Sequence, residues 1–196
     1  VADFMILNIL FILCCAPVIT IGPAVSALYT ITMREARHEG GYIFKPFFKA
    51  FKNNFKQAFL LSILYLIIGA SFVFGVKFWI EKPEFSTVNQ VILVITGVFA
   101  VIFIFSLLYV FALIARFDNT IFKSVKNAVM LAVFNLRETF LLTLIHVIVI
   151  VLMIFTKGIW IFMMVGGFSV CAYINSLLFI RVFRQYEKIE GGNHDD

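Results

Sequence analysis

No aspartate or glutamate interrupts any of the five long apolar runs in this chain, at 4–33, 57–76, 85–115, 139–156 and 158–180. That absence argues against a proton- or sodium-coupled pump built on carboxylates, which needs ionisable groups inside the spans. The runs also hold no HExxH pair, no paired aspartates and no Ser–His–acid set, and no Gly-rich phosphate cradle occurs in the chain. Catalysis is not expected of a chain so equipped, and no cofactor or metal is implied. Cysteine is scarce too. Cys14, Cys15 and Cys171 lie in apolar runs, without zinc-site or CxxC spacing. They read as small hydrophobes, with reversible lipidation of Cys14 or Cys15 as the alternative.

What fills the space is hydrocarbon. The chain is 62% hydrophobic, and phenylalanine alone supplies 25 of its 196 residues. Mean hydropathy is +1.03, and soluble domains run at roughly 45–50% apolar. A soluble core of this size could not hide so much apolar surface, so the solvent must be lipid. A net charge of +5 suggests nucleic acid at first sight. The basic residues, however, sit between the apolar runs, where they orient a membrane protein and attract anionic headgroups.

About 20 residues of helix cross the hydrocarbon of a bilayer. The runs 57–76, 139–156 and 158–180 fit one crossing each. The two longer runs are expected to cross once, tilted or kinked. The expected fold is an all-α, polytopic transmembrane bundle in one domain, 1–186, with spans at about 4–22, 58–77, 88–114, 139–156 and 158–180. A polar cytoplasmic tail, 187–196, follows. The chain starts at Val1 rather than Met, which suggests residues upstream. A signal peptide is not expected, since the first run has no cleavage-like exit and passes through two prolines.

Two further helices, at about 44–57 and 120–137, are expected in the membrane interface. Phe44, Phe47, Phe48, Phe51, Phe55 and Phe59 recur at i, i+3, i+4 spacing, with Lys45, Lys49, Lys52 and Lys56 in the adjoining arc. A basic helix with an aromatic face fits the headgroup boundary. All but Lys77, Lys82 and Lys157 of the 16 basic residues fall on one side of the expected spans. The positive-inside rule puts that side, and the C-terminus, in the cytoplasm, with Val1 outside.

An internal parallel repeat is suggested. Ser26-Ala27-Leu28-Tyr29 is echoed by Ser106-Leu107-Leu108-Tyr109, and Ile43-Phe44-Lys45 by Ile121-Phe122-Lys123. The stretch from Asn54 through Phe59 to Ser62 is echoed from Asn135 through Phe140 to Thr143. Each unit would hold a long span, an amphipathic helix and a short span.

Candidate functional residues are few. Pro17-Val18-Ile19-Thr20-Ile21-Gly22-Pro23 must kink or unwind the first span, because neither proline has an amide hydrogen and Gly22 adds backbone freedom. The freed carbonyls need partners in lipid, and the Thr20 hydroxyl is one supplier. The segment is either a broken helix lining a substrate or ion site or a packing kink. Asn8 and Asn175 are polar residues inside spans, read as interhelical hydrogen-bond partners or as part of a pathway. His146 is the one ionisable group of its kind well inside a span. It is either a pathway residue or a neutral imidazole bonded to a carbonyl or hydroxyl. Tyr29 closes the first run and joins these candidates.

Asn8, the segment Pro17 to Ala24, Ala27-Leu28-Tyr29 and Phe47-Phe48-Lys49-Ala50-Phe51-Lys52-Asn53-Asn54-Phe55-Lys56-Gln57 resemble the signature of the YesL-like family of bacterial integral membrane proteins, which carry a domain of unknown function. The specific motifs lie in the first sixty residues. The resemblance implies no catalytic residues. It implies a bacterial cell-membrane protein whose relatives often neighbour genes for ABC-type carbohydrate uptake. The expected role is a non-enzymatic accessory or regulatory partner of sugar-permease subunits; the alternative is a small transporter or channel in its own right. Impermeant cysteine labelling in intact cells tests the orientation. A cysteine replacing Lys49 is expected to stay unlabelled until the cells are opened; labelling from outside would reverse the topology.

Overall fold

The computed structural model describes residues 2–81, 87–156 and 158–191, with side chains as far as Arg184. Lys82, Glu84, Lys157 and the tail residues 192–196 lie outside the described residues, as does Val1. Every regular element among the described residues is helical: α1 Ala2–Cys15, a 3-10 turn Val18–Thr20, α2 Ile21–Ala36, α3 Phe44–Ile80, α4 Thr87–Arg116, α5 Ile121–Phe134, α6 Leu136–Phe155, α7 Ile159–Phe162, a π-helical turn Met163–Gly167, and α8 Phe168–Gly191. Four helical stretches, Phe44–Ile80, Thr87–Arg116, Leu136–Phe155 and Ile159–Arg184, are long and apolar enough to cross a membrane. The chain is an all-α membrane protein.

The sequence suggested five spans, and the difference lies in the first run. α1 has 14 residues, about 21 Å of helix, short of a hydrocarbon core of about 30 Å. The chain then turns back. Phe4 packs on Tyr173 and Phe11 on Phe168, so α1 runs against α8. Beyond the break, Thr32 bonds Ser176, and further along α2 Arg34 and Arg37 share a pocket with Phe117, whose ring packs on Phe183 further along α8, so α2 runs with α8. The expected span 4–22 is therefore a re-entrant pair of short helices hinged at Pro17. Pro23 does not extend the break: it sits in the first turn of α2, where a missing N–H costs nothing. A run that returns no longer supports placing Val1 on the side opposite the C-terminus.

The expected interfacial helix 44–57 and span 58–77 are one unbroken helix, α3, of 37 residues. Its only proline, Pro46, falls in the first turn, and nothing further along can break it. Its first half lies antiparallel on α2: Asn54 Nδ2 donates to Ser26 Oγ at 2.9 Å, and Gly22 faces the Ala58 carbonyl. The second expected interfacial helix, 120–137, is α5 followed by a break at Asn135. It folds back along α4, with Ala132 and Val133 beside Val98 and Phe105. Ser124, Ala128 and Ala132, four residues apart, are fully buried. Such a small-residue face lets two helices approach closely where lipid supplies no hydrophobic drive. The expected tail also shortens, since α8 continues to Gly191.

The two suspected repeat units hold comparable places. In each, a helix ends at a basic turn and the next doubles back along it, α2 with α3 and α4 with α5. The matching tyrosines, Tyr29 and Tyr109, both meet the ring of Phe179 edge-on, at centroid distances of 5.2 and 5.6 Å. Phe179, Phe183, Phe47 and Tyr109 are the largest fully buried side chains, so the core sits at the basic end of the molecule. At that end His38 closes α2 in the left-handed conformation, φ 60°. Its N–H donates to the Glu35 carbonyl and that of Glu39 to the Arg34 carbonyl, a pattern that satisfies the terminal carbonyls. A hydrogen bond from Arg37 holds the Glu39 carboxyl below the usual carboxylate range.

Gly22 has ordinary helical backbone; positive φ among the described glycines is confined to Gly41. Its contribution is closeness rather than freedom, because a Cβ there would meet the Ser62 hydroxyl and lie 2.9 Å from the Ala58 carbonyl oxygen. Gly97 of α4 would meet nothing within 4 Å. Gly22→Ala is expected to cost about 1–3 kcal/mol by overpacking, read as a lowered melting temperature in detergent. Gly97→Ala is expected to leave the melt unchanged or raise stability by about 0.5–1 kcal/mol.

Candidate functional site

The residues singled out in the sequence separate into three places. The first is the break itself. Thr20 Oγ1 donates to the Cys14 carbonyl at 2.6 Å, and the Thr20 N–H donates to the Pro17 carbonyl at 3.0 Å. One residue thus covers both carbonyls where Pro17 ends the helical ladder, with its hydroxyl and its N–H. Pro17, Thr20, Gly22 and Pro23 build a turn and seat α2 on α3. None of them lines the cavity described below.

The second place is Asn8, fully buried on α1. Its Nδ2 donates to the carbonyls of Met163 and Met164 at 2.9 and 2.8 Å, and its Oδ1 accepts from the Ser169 N–H and hydroxyl. Both amide donors and both acceptor directions of the side chain are used. A π-helical turn displaces the regular i→i−4 ladder, and Asn8 satisfies the groups it leaves. Asn8 is therefore a structural clasp between α1 and the last span. Gly167 permits the turn: a Cβ there would lie 3.1 Å from the Phe162 ring.

The third place brings Tyr29, His146 and Asn175 together. They line one cavity of about 320 Å³ between α1, α2, α6 and α8, with walls that include Phe11, Leu28, Val149 and Met163. His146 Nδ1 lies 2.7 Å from the Leu142 carbonyl oxygen. A carbonyl can only accept, so Nδ1 carries the hydrogen; the tautomer with that hydrogen alone offers Nε2 as an acceptor. Asn175 is 2% exposed. Its Nδ2 reaches the Tyr29 hydroxyl only at 3.5 Å, beyond the usual hydrogen-bond range. Its Oδ1 is buried with no partner. Oxygen atoms left in that state are rare in folded proteins and costly.

The residues assigned to the membrane interface divide as well. Lys45, Lys49, Lys52 and Lys56 are exposed, as are Phe44 and Phe48, while Phe51 and Phe55 are half-buried and Phe47 is fully buried. Their rings also contact one another along α3, Phe44 with Phe48 and Phe51 with Phe55. The stripe thus joins core to surface.

Several polar contacts escaped the sequence reading. Thr32 and Ser176 hydroxyls meet at 2.7 Å, Tyr109 and Thr139 at 2.9 Å, and Tyr65 and Ser106 at 3.0 Å. The repeated Ser-x-x-Tyr pattern was the available signal for two of these residues, Ser106 and Tyr109. Nothing local announces which helix each will meet. Among the described residues, no group of three or more His, Cys, Asp or Glu side chains could hold a metal ion.

Asn8→Ala would strip partners from two carbonyls and one N–H in the bundle. A loss of about 1–3 kcal/mol is expected, measured by thermal unfolding in detergent. Asn8→Asp is expected to be at least as damaging, because a carboxylate brings no donor to the Met163 and Met164 carbonyls.

Comparison with curated proteins and with solved structures finds no match. A protein-family model described as "Protein of unknown function, DUF624" matches residues 4–76, the segment holding α1, the proline break, α2 and most of α3.

Proposed function

We propose that this chain is a non-enzymatic, multi-pass protein of the bacterial cell membrane, with a cytoplasmic C-terminus, that acts as an accessory or regulatory component of ABC-type carbohydrate uptake by packing laterally against a permease subunit. One observation carries the lateral role. Beyond Tyr65 and Ser106, α3 and α4 continue as a two-helix arm in which no residue from 66 to 80 or from 87 to 105 is buried. An apolar groove of about 650 Å³ runs along it, lined by Gly69, Phe72 and Val76 on one side and Ala100, Phe103 and Ile104 on the other. Small residues opening onto such a groove suit a transmembrane helix from another protein. The sugar association and the bacterial setting come from the resemblance to the YesL-like family.

The rival reading, a transporter in its own right, draws on the broken first run and on His146. A transport path would be expected to join them. The cavity at His146 is lined almost wholly by apolar side chains and does not include the Pro17 turn. The turn also satisfies its own carbonyls through Thr20.

Photo-crosslinking in cells tests the proposal. A benzoylphenylalanine replacing Val73, which is 68% exposed, is expected to yield a crosslink to a sugar-permease subunit. The same residue at Phe122 of α5 serves as the control away from the arm. Crosslinks from position 73 to lipid alone would overturn the accessory role. Sugar or ion flux in proteoliposomes of the pure chain would replace it with the transport reading.

A further inference from the structure

We infer that the cavity between α1, α2, α6 and α8 is a binding site for a neutral, chain-like apolar molecule ending in a hydroxyl group, such as a long-chain or isoprenoid alcohol. The anchor is Asn175, whose buried Oδ1 is unpartnered and which lines the cavity together with Tyr29 and His146. A ligand hydroxyl has one hydrogen to donate and two lone pairs to accept. It could donate to Asn175 Oδ1, and it could accept the Tyr29 O–H, which already receives the long contact from Asn175 Nδ2. His146 adds a second acceptor through Nε2.

The remaining features select the rest of the ligand. No Asp, Glu, Lys or Arg lines the cavity, so a charged group would be buried without a counter-ion. The volume of about 320 Å³ lies in the range of small-molecule sites. Water suits it poorly: each buried water needs two to four polar partners, and three polar side chains cannot serve a cavity of this size. Ile150 lines the cavity and is 55% exposed. An occupant can therefore enter sideways past α6, from the hydrocarbon. The site is separate from the arm proposed to meet a permease, so either idea can fail alone.

The full chain in detergent, irradiated with a diazirine-bearing dodecanol, provides the test. Labelling is expected in peptides spanning 145–153 or 168–176, competed by 1-dodecanol and not by dodecane. Asn175→Leu is expected to lower labelling by about fivefold or more, the worth of one hydrogen bond. Its ligand-free melting temperature should be unchanged or higher, because an unsatisfied amide is replaced by an apolar group. Val149→Trp, which fills the cavity without touching the polar groups, should abolish labelling. Equal competition by dodecane would make the cavity an unselective lipid groove and overturn the proposal. So would full labelling of Asn175→Leu, or a ligand-free melt lowered by that substitution, which would make Asn175 a structural clasp like Asn8.

Discussion

Close approach between helices is the constraint on which the rest of this structure depends. Lipid tails are as apolar as leucine, so burial alone gives two spans little reason to meet. This chain supplies other reasons. Gly22, Ser26 and Thr30 recur every four residues on α2, facing Ala58 and Asn54 of α3 and the Ala115 carbonyl of α4. Ser124, Ala128 and Ala132 do the same on α5. Once backbones are close, hydroxyls and amides can reach across. Asn54 with Ser26, Tyr109 with Thr139 and Thr32 with Ser176 then hold helices together in a medium that offers polar groups no alternative partner.

This constraint concentrates order at one end. The small residues and cross-helix hydrogen bonds cluster where α2, the start of α3, the end of α4, α5 and α8 meet around Phe179. Away from it, α3 and α4 run on as a pair with only each other and part of α5 for company. The basic end is well buried, whereas the arm, on which the proposed lateral contact rests, has no buried residue from 66 to 80 or from 87 to 105. The cavity beside Asn175 lies between these regimes. It is close enough to the core to bury an amide and close enough to the lipid to open past Ile150.

Asn8 and Asn175 show how much of the candidate site was legible. In sequence they are equivalent, each a single amide in an apolar run. In space, Asn8 uses its whole hydrogen-bonding capacity on the π turn, and Asn175 leaves an oxygen bare. The difference belongs to the neighbouring helices rather than to either residue. The same holds for Thr20 and His146, whose preferred partners, local carbonyls, could be anticipated because a helix presents them within reach. Which residues then shared a cavity could not.

The sequence alone determined the solvent, the helical class and the basic end, because composition and the absence of charge over twenty residues leave no other solution in lipid; it suggested five spans where the structure has four long apolar helices. It also determined that the chain must break near Pro17, since proline cannot complete the ladder there. Tertiary structure alone decided that the break reverses the chain, that α3 runs unbroken along α2, and that α5 folds onto α4. Those outcomes depend on which small faces meet, and a pattern of small residues names no partner. Tertiary structure also left Asn175 Oδ1 beside a cavity as the buried side-chain polar atom without a partner among the described residues.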